Sequence, residues 1–300
     1  MGYLTCTVTR MKANYRKLLL QENEWIDGSD EYGLILTDDI DSLLSCSILK
    51  QKKNWNVEQI LLFKACSQNF DAYGETLNAT YEAIGVDLAL TNGKCFDNHL
   101  TKFSPSGDKD NPQAINLNRI EGISRYRYKD KYNLSTVLLL WSLYDLPKEK
   151  LSDELMMLLI AIDGSFDGFY TQEQYIPIHE HWIRDVLELP EFLKCERRHT
   201  RADFEAIQDK YKLKEKIKIK KSNLYTDIDI EAINELLAWE TDIQIELPSD
   251  KFYQKAVVRD NGSYISRDLS SIKKICENPF CSALTKKNYV CYSEIVEVLR

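Results

Sequence analysis

No run of 18 consecutive apolar residues occurs in this 300-residue sequence, so no segment is long enough to cross a bilayer as a helix. The longest apolar runs, Val137 to Trp141 and Leu155 to Ile162, are interrupted too soon. The opening residues, MGYLTCTVTRMKANYRK, lack the apolar core and small-residue cleavage site of a secretory leader. Cys-x-x-Cys pairs are missing as well. The eight cysteines (Cys6, Cys46, Cys66, Cys95, Cys195, Cys276, Cys281 and Cys291) are scattered, and the nearest two, Cys276 and Cys281, have no second pair to complete a zinc site. Without an export signal they are expected to be reduced thiols of a cytoplasmic protein, most of them small core residues. An excess of basic charge is also lacking. The net charge of −8 argues against a long, non-specific duplex-binding surface. It leaves room for a nucleotide or a short nucleic acid held by a local basic patch and metal ions. Neither an internal repeat nor a low-complexity tract is present.

What is there suffices for a sizeable core: 44% of residues are hydrophobic and 29% charged, a size and balance that fit one large domain or two smaller ones. Residues 13–26 have apolar positions at helical spacing, and 27–30 (Asp-Gly-Ser-Asp) read as a turn. Tyr32 to Thr37 is a short buried strand that stops in acid at Asp38-Asp39-Ile40-Asp41. Ser42 to Lys50 is predicted helical, with Asp41 or Ser42 as its N-cap. Glu58 to Ala65 predicts a second strand, Glu75 to Gly85 a helix, and Val86 to Leu90 a third strand. A loop is expected over 104–113. Helices are expected over 134–144, 151–162 and 179–193, the last broken at Pro190. Strands alternating with helices imply an α/β fold with a doubly wound, mostly parallel sheet over residues 1–195. Composition shifts near residue 195. Residues 196–300 are expected to form a smaller α+β portion, with helices over the first part of 200–221 and over 230–239 and strands at Ile243-Gln-Ile-Glu-Leu and Tyr253-Gln-Lys-Ala-Val-Val.

In an open parallel sheet, ligands bind at the carboxyl ends of the strands. Asp38, Asp39 and Asp41 stand at one such end, and Asp97-Asn98-His99 follows a later strand. Gathered carboxylates repel one another unless a cation or proton lies between them, and hard divalent ions favour oxygen ligands, with imidazole tolerated by manganese and zinc. Each segment alone also reads as an ordinary helix cap or acidic turn.

Taken together, three segments resemble the motifs of the DHH phosphoesterase family. Leu34-Ile-Leu-Thr-Asp-Asp-Ile-Asp-Ser-Leu-Leu-Ser45 is similar to the family's first motif, Cys95-Phe-Asp-Asn-His99 to its Asp-His-His motif, and Leu159-Ile-Ala-Ile-Asp-Gly-Ser-Phe-Asp-Gly168 to its later acidic motif. The resemblance covers residues 32–170. It departs from the family at Thr37, at Asn98 in place of the first histidine, and at the bridging aspartate between the first strand and Asp97, for which Asn92, Asp71 and Asp87 are candidates. The resemblance implies one or two Mn²⁺ or Mg²⁺ ions held by Asp39, Asp41, Asp97 and Asp167, with Asn98 as a weak ligand. His99 would contact the phosphate or move a proton, so Asp39, Asp97 and His99 form the implied catalytic group.

Substrate contacts are expected from Asn116, or Asn111, and from Ser135 and Thr136 at a helix start, where backbone N–H groups suit a phosphate. Arg125 and Arg127, interleaved with Tyr126, Tyr128 and Tyr132, suit stacking on bases with phosphate contact. An ordinary solvated face would look similar, as would the lysine-rich stretch 210–221. His179 and His181 would share a face only on a strand. The implied function is a metal-dependent phosphoesterase acting on a nucleotide, a cyclic dinucleotide or a short single-stranded nucleic acid. The alternative is a catalytically inactive relative that binds a nucleotide or a protein. A haloacid dehalogenase type is a poorer match, because Asp39-Ile40-Asp41 is followed by Ser42-Leu43.

Overall fold

Leu34-Ile35-Leu36 has no polar interruption, and strand β1 (Gly33–Leu36) is accordingly buried along its whole length, as a central parallel strand requires. The computed structural model describes residues 11–63, 69–74, 82–106, 110–267 and 269–299. Around β1 the chain runs through α1 (Ala13–Glu22), α2 (Ile40–Lys53), β2 (Asn56–Leu62), β3 (Asn69–Gly74), β4 (Ala83–Val86), β5 (Cys95–Phe96), β6 (Ala114–Ile115), α3 (Leu117–Ile120), α4 (Thr136–Leu143) and α5 (Asp153–Ala161). It continues through α6 (Asp167–Tyr170), α7 (Ile176–Glu180), α8 (Pro190–Arg198), α9 (Arg201–Lys210), the hairpin β7 (Ile217–Lys220) and β8 (Asn223–Thr226), and α10 (Ile230–Glu240). The last strands are β9 (Tyr253–Tyr264), β10 (Cys281–Lys286) and β11 (Tyr289–Val298).

The fold is α/β. Nine strands form one sheet in the order β10-β11-β9-β3-β2-β1-β4-β5-β6. The run β2-β1-β4-β5-β6 is parallel throughout. The pairs β2-β3, β3-β9, β9-β11 and β10-β11 are antiparallel. The expected smaller C-terminal portion therefore adds β9, β10 and β11 to the same sheet through β3, while β7 and β8 pair only with each other. The main core holds residues of α1, α2, α4, α5 and α8 against one sheet face. A smaller cluster, including Ile35, Leu61, Leu90, Cys95, Val258 and Cys281, lies apart from it and is built from strand and loop residues. The C-terminal strands bend over the ends of β4 and β5: Ser282 N–H donates to the Ala89 carbonyl and Leu284 N–H to that of Leu100.

Several local expectations shift. The third strand is β4, three residues earlier than predicted, and residues 83–85 of the expected helix lie in it; residues 75–81 lie outside those described. β4 stops because Asp87 takes a left-handed conformation, φ 54°. The cap of α2 is Asp39, whose Oδ1 accepts the Ser42 N–H at 3.1 Å, rather than Asp41 or Ser42. Pro190 opens α8 instead of breaking a helix, since a missing N–H costs nothing at a first turn. The Ile243–Leu247 segment is not a strand; the Asn234 side chain takes both backbone groups of Ile245, at 2.8 Å each. Cys46, Cys95, Cys195, Cys276 and Cys281 are buried free thiols. No described helix is long and apolar enough to cross a membrane.

Candidate active site

The turn after β1 is tied to the end of β4 by Ser42, whose hydroxyl accepts the Thr37 N–H at 2.9 Å and donates to the Val86 carbonyl at 2.8 Å. This fixes the acidic turn beside Asp87. Asp41, buried in the first turn of α2, then reaches across to the start of α4. Its two oxygens accept the N–H groups of Thr136 and Val137, each at 2.8 Å, where the helix dipole favours a negative charge. The Thr136 hydroxyl donates to Asp87 at 2.9 Å. The Ser135 hydroxyl accepts the Leu138 N–H and so caps α4.

After β5, the buried Asp97 accepts from Asn116 Nδ2 at 2.6 Å and holds His99 Nδ1 at 2.7 Å. Asn116 also caps α3 and donates to the His99 carbonyl. The imidazole itself is 39% exposed. Asn98 spends its amide N–H groups on the Leu134 carbonyl and on Asp163, at 3.1 and 3.2 Å. Asp163 follows α5 and, like Asp87, has φ 54°. Aspartate tolerates this region better than most residues, at some cost in strain.

Asp39, Asp41, Asp87, Asp97, Asp163 and His99 therefore act on one another electrically. Burial, then the charges of Asp87, Asp163 and Asp39, raise the Asp41 carboxyl well above its usual range. Asp87 is pushed up to about 8 by burial and by Asp39, Asp163 and Asp97, against an opposing pull from His99. Burial also raises Asp163, with His99 opposing. Desolvation alone would lower His99, but Asp97, through charge and hydrogen bond, with help from Asp87 and Asp163, lifts it to about 10.

A cleft of about 350 Å³ opens onto Asp38, Asp39, Asp87 and His99. Its far wall is the C-terminal strand layer, with Asp260, Ser282 and Ser293. A second hollow of about 280 Å³ adjoins Asp39, Asp41 and Asp163. Lys216 lines both, and its ammonium pairs with Asp38 at 3.0 Å and Asp39 at 3.2 Å.

Of the residues expected at the site, Asp39, Asp41, Asp97, Asn98, His99, Asn116 and Thr136 gather here, with Ser135 capping the helix behind them. Asp167 does not. It is 52% exposed and pairs with Arg201 at 2.8 Å, and Asp163, four residues earlier, occupies the place expected of it. Arg125 is buried and donates to the carbonyls of Ile265, Ser266 and Arg267, so it anchors a loop instead of facing a ligand. Arg127 pairs with Asp130 at the surface. Asp163 and Lys216 were missed by sequence reasoning, and Asp87 was one of three candidates. Their one sequence signal is acid or base beside a turn, which is common.

Oxygen donors with one imidazole suit Mg²⁺ or Mn²⁺ in kind. The arrangement is more open than a closed coordination shell. Among the described residues, the only group of three His, Cys, Asp or Glu ligand atoms within 4.8 Å of one another is Asp153, Cys195 and His199. Those three lie at the ends of α5 and α8, where Arg198 already pairs with Asp153. The chain matches no protein-family model, no curated protein and no solved structure.

Proposed function

We propose that the protein is a metal-dependent phosphoesterase acting on a phosphodiester or phosphoanhydride in a nucleotide, a cyclic dinucleotide or a short single-stranded nucleic acid. The observation that carries this reading is the convergence of Asp39, Asp41, Asp87, Asp97 and Asp163 from separate segments, where burial first and then neighbouring carboxylates raise Asp41, Asp87 and Asp163. Such repulsion is relieved when a doubly charged ion shares the site. Asp39, Asp87, Asp97 and Asp163 would hold Mn²⁺ or Mg²⁺, which supplies Lewis-acid chemistry and a nucleophilic water at neutral pH. Asp41 is held by the N-terminus of α4 and fixes the rim. His99, oriented by Asp97 and open to the cleft, would give a proton to the leaving oxygen.

A second reading, an inactive module that binds a nucleotide or a protein, is favoured by Lys216, whose ammonium already sits on Asp38 and Asp39. Hydrolysis of a generic phosphodiester, bis(p-nitrophenyl) phosphate, with Mn²⁺ separates the two. The enzyme reading expects a rate lost on adding chelator and lowered at least about a hundredfold in Asp163→Asn, in line with the loss of a catalytic group. Asp167→Asn should remain near wild type. Equal rates in wild type and Asp163→Asn would leave the binding module.

A further inference from the structure

Away from the acidic cleft, one buried ring nitrogen is left without a partner. His179 on α7 is 1% exposed, and its Nε2 lies 2.9 Å from both oxygens of the fully buried Glu196 on α8. Its Nδ1 has no hydrogen-bond partner among the described residues. Buried polar atoms are rarely left so.

That side chain lines a cavity of about 220 Å³, together with Lys129, Lys131, Asn133, Gly168 and Tyr175. A Cβ on Gly168 would stand 2.7 Å from Nδ1 and 2.8 Å from Asn133 Nδ2. The bare glycine therefore lets both nitrogens pack against its backbone at the edge of the cavity. The ammonium groups of Lys129 and Lys131 lie 5.6 and 5.1 Å from the ring centres of Tyr175 and Tyr128. Neither has an ion pair among the described residues, in a chain whose net charge is −8. The one acidic residue of the wall, Asp167, is already paired with Arg201. One water would satisfy Nδ1 but would leave both cations and most of the volume unexplained.

We propose that this cavity binds a phosphate group, either inorganic phosphate or the head of a phosphate monoester. Lys129 and Lys131 supply the charge. The Asn133 amide and the free Nδ1 edge of His179 meet separate oxygens of the tetrahedral anion, and Glu196 holds the ring at Nε2. Donors that approach from different walls suit a tetrahedral anion better than a planar carboxylate. Asp163 acts on Lys131 through its charge, but none of Asp39, Asp87 and Asp163 lines this cavity.

Calorimetric titration of the full chain with inorganic phosphate, at low salt and with chelator present, tests it. One binding site is expected. Gly168→Ala, whose methyl would push His179 and Asn133 aside without changing charge, and Lys131→Gln should each weaken binding about tenfold or more. Asp87→Asn should leave it unchanged, which separates this cavity from the acidic cleft. Circular dichroism checks that each variant folds, and Lys131→Gln carries the test if Gly168→Ala does not. Absence of phosphate binding at millimolar concentration, equal binding by wild type and a folded Gly168→Ala or Lys131→Gln variant, or loss of binding in Asp87→Asn would each overturn the proposal.

Discussion

Asp87 couples the strain of one backbone position to the charge of the whole cleft. Its φ of 54° ends β4 and points the carboxylate at Thr136 Oγ1. Burial and three other aspartates push its pKa up to about 8. An unfolded aspartate releases its proton near 3.9, so between those values the folded state holds a proton that the unfolded state has lost. The sign follows: in the metal-free protein, stability should fall as pH rises from about 4 to about 8, by at most ~1.4 kcal/mol per pH unit for one such group. Urea unfolding in chelator from pH 5 to pH 8 measures this. Asp87→Asn should flatten the profile and raise the midpoint at pH 8, and a variant profile parallel to wild type would rule the account out. At this scale the sequence is partly readable. Asp39, Asp41 and Asp97 stand out because a buried strand runs directly into acid, which is a local pattern. Asp163 and Asp167 cannot be told apart that way, since both lie in one short glycine-containing stretch of sequence. What separates them is the positive φ at Asp163 and the Arg201 partner of Asp167, and both depend on tertiary packing.

Secondary elements show the same division between local and distant causes. The helices α2, α4 and α5 and the strand β1 were legible, because apolar spacing and capping residues are contained in the segments themselves. Ile243 to Leu247 alternates like a strand, yet among the described residues no strand pairs with it. Asn234 on α10 supplies the hydrogen bonds that a neighbouring strand would give, and Ile243 and Ile245 still bury their side chains. Asn234→Ala should leave both Ile245 backbone groups without these partners, at a cost of ~1–3 kcal/mol, read as a lower urea midpoint with an unchanged slope. No loss of stability would mean that water replaces the amide freely. Pro190 carries a similar lesson: a proline breaks a helix in its interior but starts one at its first turn, and the pattern 179–193 does not say which applies.

On the scale of the molecule, the change of composition near residue 195 marks where the chain starts to close the site, for β9, β10 and β11 extend the same sheet and β7 and β8 form a hairpin of their own. Lys216 is the sharpest expression of that closure. Its ammonium neutralises Asp38 and Asp39 from the C-terminal side, while the next residue, Ile217, donates its backbone N–H to the Asp38 carbonyl at 2.7 Å. Burial opposes the charge on Lys216, but the two aspartates outweigh it and hold its pKa above the ordinary lysine value. Removing that charge while keeping a polar side chain of similar length should therefore act in opposite directions with and without metal. In chelator, Lys216→Gln restores repulsion between Asp38, Asp39 and their neighbours, and the thermal midpoint should drop by a few degrees, as expected for ~1 kcal/mol in a chain of this size. With saturating Mn²⁺ the ion replaces the lost cation, and the stabilisation by metal should exceed that of the wild type. Thermal unfolding of both proteins in the two conditions gives the four midpoints needed. If metal stabilises wild type and Lys216→Gln equally, Lys216 and the ion do not share the Asp38–Asp39 edge, and the ammonium is a surface ion pair of little consequence.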